Sequence, residues 1–229
     1  MNKKTLNVVS LIAGCAAAAV ALFYVINTII FLTKFSSELG AKYNILIAMY
    51  AVLFLAASAL LAIVGVFIIK DFVNKKEEKP SRLIYAGFIF FAFTALINLV
   101  SVCFNNGGAA INWVMLVFGV AGMVIALLIE MAKFEGNIKS ILAMVLAGLG
   151  FVLVIVQLAG GADTLGVFTA LFLMALFISV FLYFLFGLLI ASNGNNTEVK
   201  EVETKEEAEV KEIETKEETE TTEDKKENE

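Results

Sequence analysis

The chain has 229 residues, of which 60% are hydrophobic and only 17% are charged. A soluble globular domain is about half apolar and a quarter charged, so this composition excludes an ordinary soluble fold. The charge is also unevenly placed: residues 197–229 contain 15 acidic residues and 6 lysines, a net charge of −9, whereas residues 1–196 have a net charge of +4. The acidity therefore belongs to the C-terminal segment and indicates no nucleic-acid partner.

Long runs without a charge predict where the chain crosses a bilayer. A charge at the centre of a transmembrane helix costs about 2.5–3.5 kcal/mol, and a helix needs about 20 apolar residues to span the hydrocarbon core. Five such runs lie between Lys4 and Lys34, Lys42 and Lys70, Arg82 and Glu130, Lys139 and Asp163, and Asp163 and Glu198. The third run has 47 residues, enough for two spans, and its central Asn105-Asn106-Gly107-Gly108 is typical of a turn.

The sequence therefore predicts an all-α integral membrane protein with six transmembrane helices in three hairpins. The predicted helices cover residues 6–32, 45–69, 83–104, 110–130, 138–158 and 165–191. Helices are expected because hydrocarbon offers no hydrogen-bond partner to open backbone groups. Two regions follow: a six-helix transmembrane domain over residues 1–192 and an acidic, low-complexity tail over residues 193–229.

Lysine and arginine favour cytoplasmic loops, so their distribution predicts the orientation of the chain. The N-terminus and the segments around 70–82 and 131–139 together contain nine basic residues, whereas the segments on the other side contain only Lys34 and Lys42. Both termini are therefore expected in the cytoplasm. Lysine dominance and short loops are typical of a protein of the bacterial cytoplasmic membrane.

The first fifteen residues, MNKKTLNVVSLIAGC, resemble a bacterial lipoprotein signal, which implies cleavage before Cys15 and lipidation of that cysteine. A cleavable signal is followed by a break in hydrophobicity, whereas residues 16–32 stay apolar here. We therefore expect residues 6–32 to remain as an uncleaved first helix.

Residues that usually carry catalysis or metal binding are missing from the predicted spans. The chain has no histidine, which removes Ser-His-Asp arrangements and histidine metal sites. Ionisable residues inside a membrane are the usual functional markers, but Glu130 and Asp163 fall at helix ends or in loops. Cys15 and Cys103 are interpreted as small apolar core residues. The sequence thus predicts no enzyme activity, cofactor or metal site.

The amide-bearing side chains of the spans, with neighbouring polar residues, fall towards the outer leaflet in the predicted orientation. The candidate set is Asn27, Asn98, Asn112, Gln157, Asp163 and Thr169. These side chains either form hydrogen bonds between helices, worth about 0.6 kcal/mol each, or line an outward-facing polar pocket for a neutral or weakly cationic solute.

Ala13, Ala17 and Ala21 form a ridge of small residues at four-residue spacing, which lets helices approach closely in lipid. The ridge is expected either to pack within the bundle or to bind a membrane protein partner. Six helices in fewer than 200 residues, together with this alanine pattern, are also similar to the substrate-binding subunits of energy-coupling-factor transporters. That resemblance implies a role in small-solute uptake.

The tail contains an eleven-residue repeat, EVKEVETKEEA at 198–208 and EVKEIETKEET at 209–219. Its four apolar residues at helical spacing cannot offset the entropy of ordering, so the tail is predicted to be disordered. The first functional hypothesis is a non-catalytic protein that acts through protein–protein contacts, as a scaffold, assembly factor or regulator. The alternative is a component of small-solute transport.

Overall fold

A computed structural model describes residues 3–35, 41–75, 79–104, 109–132, 137–160 and 164–192. Over these residues the chain forms six helices: α1 (Lys3–Phe35), α2 (Ala41–Val73), α3 (Pro80–Phe104), α4 (Ala110–Met131), α5 (Ile138–Ala159) and α6 (Thr164–Ser192). All six are long and apolar enough to cross a bilayer. This confirms the all-α class and the predicted number of transmembrane helices. The predicted tail lies outside the described residues.

The helices extend up to four residues beyond the predicted bounds, because backbone hydrogen bonding continues through the charged residues that flank each apolar run. α2 continues through Lys70 and Asp71 to Val73. α3 begins at Pro80. Proline is favoured in the first helical turn, because an N–H in this position would have no partner within the helix.

Packing divides the chain into two units, Met1–Gly187 and Leu188–Glu229, and of the second only residues 188–192 are described. Within the first unit, α3 is the most buried helix. The buried share of its most apolar window is 61%, against 28% for α2 and for α4. Because α3 contacts each of the other five helices, it forms the centre of the core.

Aromatic side chains fill the space between α3 and its neighbours α1 and α6. The rings of Phe90 and Phe177 meet edge to face with their centroids 4.9 Å apart, and the rings of Tyr24 and Phe93 are also 4.9 Å apart. Such pairs contribute about 0.5–1.5 kcal/mol beyond area burial. This contribution matters in a bilayer, because an apolar side chain gains little hydrophobic free energy when it moves from lipid into the protein core.

Glycine lets the backbones of α1 and α2 touch. A Cβ atom added to Gly65 would lie 2.8 Å from the Gly14 carbonyl oxygen and 3.0 Å from the Ala18 backbone nitrogen. Further along the same pair of helices, the Ser58 hydroxyl donates to the Ala21 carbonyl oxygen at 2.7 Å. Close van der Waals contact and interhelical hydrogen bonds are the forces that associate helices in lipid, and α1 and α2 use both.

We expect Gly65→Val to destabilise the protein by about 1–3 kcal/mol, because an overpacked side chain would push α1 and α2 apart. Gly148→Val is the matched control, since a Cβ atom at Gly148 meets no atom within 4 Å. The fraction of monodisperse protein that remains after heating in detergent, measured by size-exclusion chromatography, reports the difference. Equal stability of the two variants would contradict the close contact between α1 and α2.

Candidate functional site

Five helices surround the central helix α3, in the order α2, α1, α6, α5 and α4. α1 packs against α2 and α4 packs against α5. Phe23 of α1 stacks against Phe172 of α6, and Gly150 of α5 lies against the Phe177 ring of α6. α2 and α4, at the two ends of this series, do not contact each other over the described residues. α3 is therefore uncovered on the side between them.

The uncovered side of α3 carries a stripe of residues at spacings of three and four, each exposed or half-buried. They are Tyr85, Phe88, Ala92, Leu96, Leu99 and Cys103. Leu96 and Leu99 are 47% and 44% exposed, although they belong to the most buried helix. Since this spacing keeps residues on one face of a helix, the stripe runs along most of α3.

Beside the stripe, two adjoining apolar cavities share Leu53 and Leu96 and together form what we call the α2–α3 groove. The larger cavity has a volume of about 530 Å³ and the smaller one about 100 Å³. α2 contributes residues between Ile45 and Leu60, and α3 contributes residues between Phe88 and Val100. Every lining residue is apolar, so the groove offers no group that would hydrogen-bond a polar solute.

The α2–α3 groove is long and has small residues in its walls. The helical segment from Ile45 to Leu60 measures about 22 Å at 1.5 Å per residue, which exceeds half of a hydrocarbon core about 30 Å thick. Ala48, Ala56 and Ala92 lie among the lining residues. Small side chains in these places let another chain approach the backbones of α2 and α3.

Two polar contacts fasten α2 to α3, one beside the larger cavity of the groove and one beyond the groove, where α2 ends and α3 begins. The hydroxyl oxygens of Tyr50 and Ser101 lie 2.6 Å apart. Beyond the groove, Arg82 forms an ion pair with Asp71 and donates to the Phe67 carbonyl oxygen at 2.9 Å. Together with the rings of Phe54 and Phe93, whose centroids are 4.9 Å apart, these contacts hold α2 against α3 on both sides of the groove.

The end of α2 and α3 beside residues 70–82 is basic. Lys70, Lys75 and Lys79 are exposed, and none of them forms an ion pair with a residue in the described part of the chain. Asp71, the carboxylate described in this segment, is already paired with Arg82. Residues 70–82 contain five basic and three acidic residues, so this end of the helix pair carries a net charge of +2.

The structure brings two of the predicted polar residues into hydrogen bonds within their own helices. The Asn98 side-chain amide donates to the Thr94 carbonyl oxygen at 2.8 Å, and the Thr169 hydroxyl donates to the Leu165 carbonyl oxygen at 2.9 Å. Neither bond links two helices. A helix interior always presents carbonyl oxygens one turn away, which gives such side chains a local partner.

The remaining predicted polar residues are placed separately. Asn27 and Asn112 are half-buried, Gln157 is exposed, and Asp163 lies outside the described residues. Asn27, Asn112 and Gln157 line neither the α2–α3 groove nor a third apolar cavity, of about 220 Å³, between α5 and α6.

The alanine ridge of α1 lies inside the bundle. Ala13 and Ala17 are fully buried and Ala21 is 3% exposed, and the carbonyl oxygen of Ala21 accepts the hydrogen bond from Ser58 of α2. The ridge therefore packs within the chain and is not accessible to a partner.

The interpretation of Cys15 and Cys103 as core residues is wrong, because both side chains are exposed. Each lies on the side of its helix that faces away from the packed core. Across the described residues, no three side chains of the His, Cys, Asp and Glu types are grouped as metal ligands.

Sequence reasoning missed the α2–α3 groove because α2 and α3 are apolar on every side, so hydropathy does not separate lipid-facing from protein-facing residues. One signal was within reach. Asp71 and Arg82 are an acid and a base that flank the predicted connection between the second and third helices, which would have predicted the ion pair near this end of the helix pair.

A scan against protein-family models matched no family, and searches of curated proteins and of solved structures found no similar chain.

We expect Arg82→Ala to cost about 1–3 kcal/mol, because it leaves the buried Asp71 carboxylate and the Phe67 carbonyl oxygen without their donor. Tyr50→Phe should cost less, about 0.6 kcal/mol, the usual value for one interhelical hydrogen bond in a membrane. Thermal unfolding in detergent measures both. Lys70→Ala, an exposed lysine of the same region, serves as the control and should be neutral; an equal effect of Lys70→Ala and Arg82→Ala would refute the fastening role.

Proposed function

We propose that this chain is a non-catalytic, multi-pass membrane protein that acts by contact with another membrane protein, in a scaffold, assembly or regulatory role. The observation that carries the proposal is the uncovered side of α3 between α2 and α4. Helices associate in lipid through close packing. A central helix with one open side offers a partner the same kind of contact that its five neighbours already make.

The shape of this surface supports the proposal more than its apolar character does. Every lipid-facing surface of a membrane protein is apolar, so exposure of Leu96 or Leu99 alone identifies no partner. The open side of α3 differs because it is concave, continues into the α2–α3 groove and has alanines among its lining residues. Those are the features that let a second backbone approach closely.

If the proposal is correct, the full chain leaves its native membrane as part of a complex. Extraction into polymer-bounded lipid discs, which keep neighbouring proteins together, should give particles that contain at least one other membrane protein in fixed proportion. Quantitative mass spectrometry of these particles measures the proportion, and a polytopic protein expressed at the same level is the control. Particles in which this chain is the single protein would contradict the proposed role.

We also propose that both termini lie in the cytoplasm and that the membrane is a bacterial cytoplasmic membrane. The basic residues around 70–82 and 131–139 support this orientation, because lysine and arginine are retained on the cytoplasmic side during insertion. In this arrangement the basic end of α2 and α3 faces the cytoplasm, together with the acidic tail.

Cysteine labelling in intact cells tests the orientation. In a background with Cys15→Ser and Cys103→Ser, we expect Gly107→Cys to react with a membrane-impermeant maleimide from outside. Lys76→Cys should react only after the membrane is broken. The reverse pattern would overturn the orientation and place the basic segment outside.

A transport role is the second candidate. The observation in its favour is Thr94, which is fully buried and whose hydroxyl has no hydrogen-bond partner among the described residues. Asn98 lies one turn away but donates to its own helix. Because the three cavities lined by described residues are apolar, the protein-contact role has the stronger geometric support.

A further inference from the structure

We propose that the α2–α3 groove, with the open side of α3, is the docking site for a single transmembrane helix of another membrane protein. This inference rests on the proposed protein-contact function and adds the location and the chemistry of the partner. The occupant follows from the width, the length and the charge of the site.

The width of the open side matches one helix. Around a central cylinder there is room for six others of the same diameter, and α-helices are about 10 Å wide with their side chains. Five helices surround α3, and the series is open only between α2 and α4, which do not touch over the described residues. One further helix at the usual interaxial distance of about 8–10 Å would complete the ring.

The length of the groove favours a helix over a lipid chain. An acyl chain is confined to its own leaflet, about half of the 30 Å hydrocarbon core, whereas the groove follows about 22 Å of α2. A transmembrane helix crosses both leaflets and would follow the groove from Ile45 to Leu60 without a break.

The connectivity of this chain disfavours a second copy as the occupant. Each of the six helices packs against at least two others of its own chain. A helix of a second copy would bring its two neighbours with it to an opening that is flanked on both sides by α2 and α4. A protein with a single, isolated crossing meets no such obstacle.

The lining defines the chemistry of the partner. Ala48, Ala56 and Ala92 form recesses among larger residues such as Leu60 and Leu96, so the partner helix should present Leu, Ile, Val or Phe at spacings of three and four. At the end of the helix pair near residues 70–82, five basic and three acidic residues give a net charge of +2, which favours acidic residues directly after the partner's apolar segment.

Site-specific photo-crosslinking of the full chain in cells tests the proposal. Benzoylphenylalanine at Leu99 probes the groove, and benzoylphenylalanine at Val145, which is also about half exposed but lies on α5, is the control position. We expect an adduct from Leu99 whose crosslinked peptide, sequenced by mass spectrometry, lies inside a transmembrane segment of a single-span protein. Val145 should give no such adduct.

A filling substitution makes the test specific. Ala92→Phe places a ring in the smaller cavity and should lower the Leu99 adduct at least ten-fold, whereas Val152→Phe, on the exposed face of α5, should leave it unchanged. Size-exclusion chromatography of both variants checks that they fold. A Leu99 adduct that persists in Ala92→Phe, that joins two copies of this chain, that maps outside a transmembrane segment, or that contains only lipid would overturn the proposal.

The two proposals fail in different ways. Protein adducts from Val145 without any from Leu99 would overturn the groove as the docking site and leave the protein-contact function standing. Lipid discs that contain no second protein, together with an absence of protein adducts at both positions, would overturn the function itself.

Discussion

Hydrocarbon provides no hydrogen-bond partner, and the rest of this structure depends on that constraint. Backbone groups must pair within each crossing, so the described residues fold into long helices. Lipid then supplies almost no hydrophobic force to bring the helices together, and their association depends on close packing and on a few polar contacts. α1 and α2 show both kinds of contact. Gly65 lies close to Gly14, and the Ser58 hydroxyl donates a hydrogen bond to the Ala21 carbonyl oxygen.

The neighbours of α3 are attached in different ways, and the difference explains the groove. α4 approaches through Gly119, where an added Cβ atom would lie 2.8 Å from the Ala95 backbone nitrogen. α6 inserts the Phe177 ring, against which Phe90 packs. α2 is attached by polar contacts at Tyr50 and Asp71 and by the ring of Phe54, whose centroid lies 4.9 Å from that of Phe93. Along its middle, no described glycine draws it against α3, so the two helices leave room between them on the lipid side.

The crossings were predictable from the sequence because ionised side chains avoid oil, and the gaps between charges trace the spans. The lateral arrangement was not, because lipid and protein interior have similar polarity. Ala92 and Ala95 are indistinguishable in the sequence, yet Ala92 lines the groove and Ala95 packs against Gly119. For the same reason Ala13 to Ala21 suited both internal packing and partner binding. Asn98 was expected either to bond across helices or to line a pocket, and the sequence does not show which partner its side chain takes; in the structure it donates to the Thr94 carbonyl oxygen of its own helix.

The two fastenings between α2 and α3 also bear on kinetics. A receptor site whose dimensions are set before its ligand arrives loses little conformational entropy on binding. Capture of a helix by such a site would be governed by lateral diffusion in the bilayer and by the orientation of the two partners, with no slow opening step. The lifetime of the complex would then depend on how well the partner's side chains fit the alanine recesses. Changes in this fit would alter the dissociation rate more than the association rate.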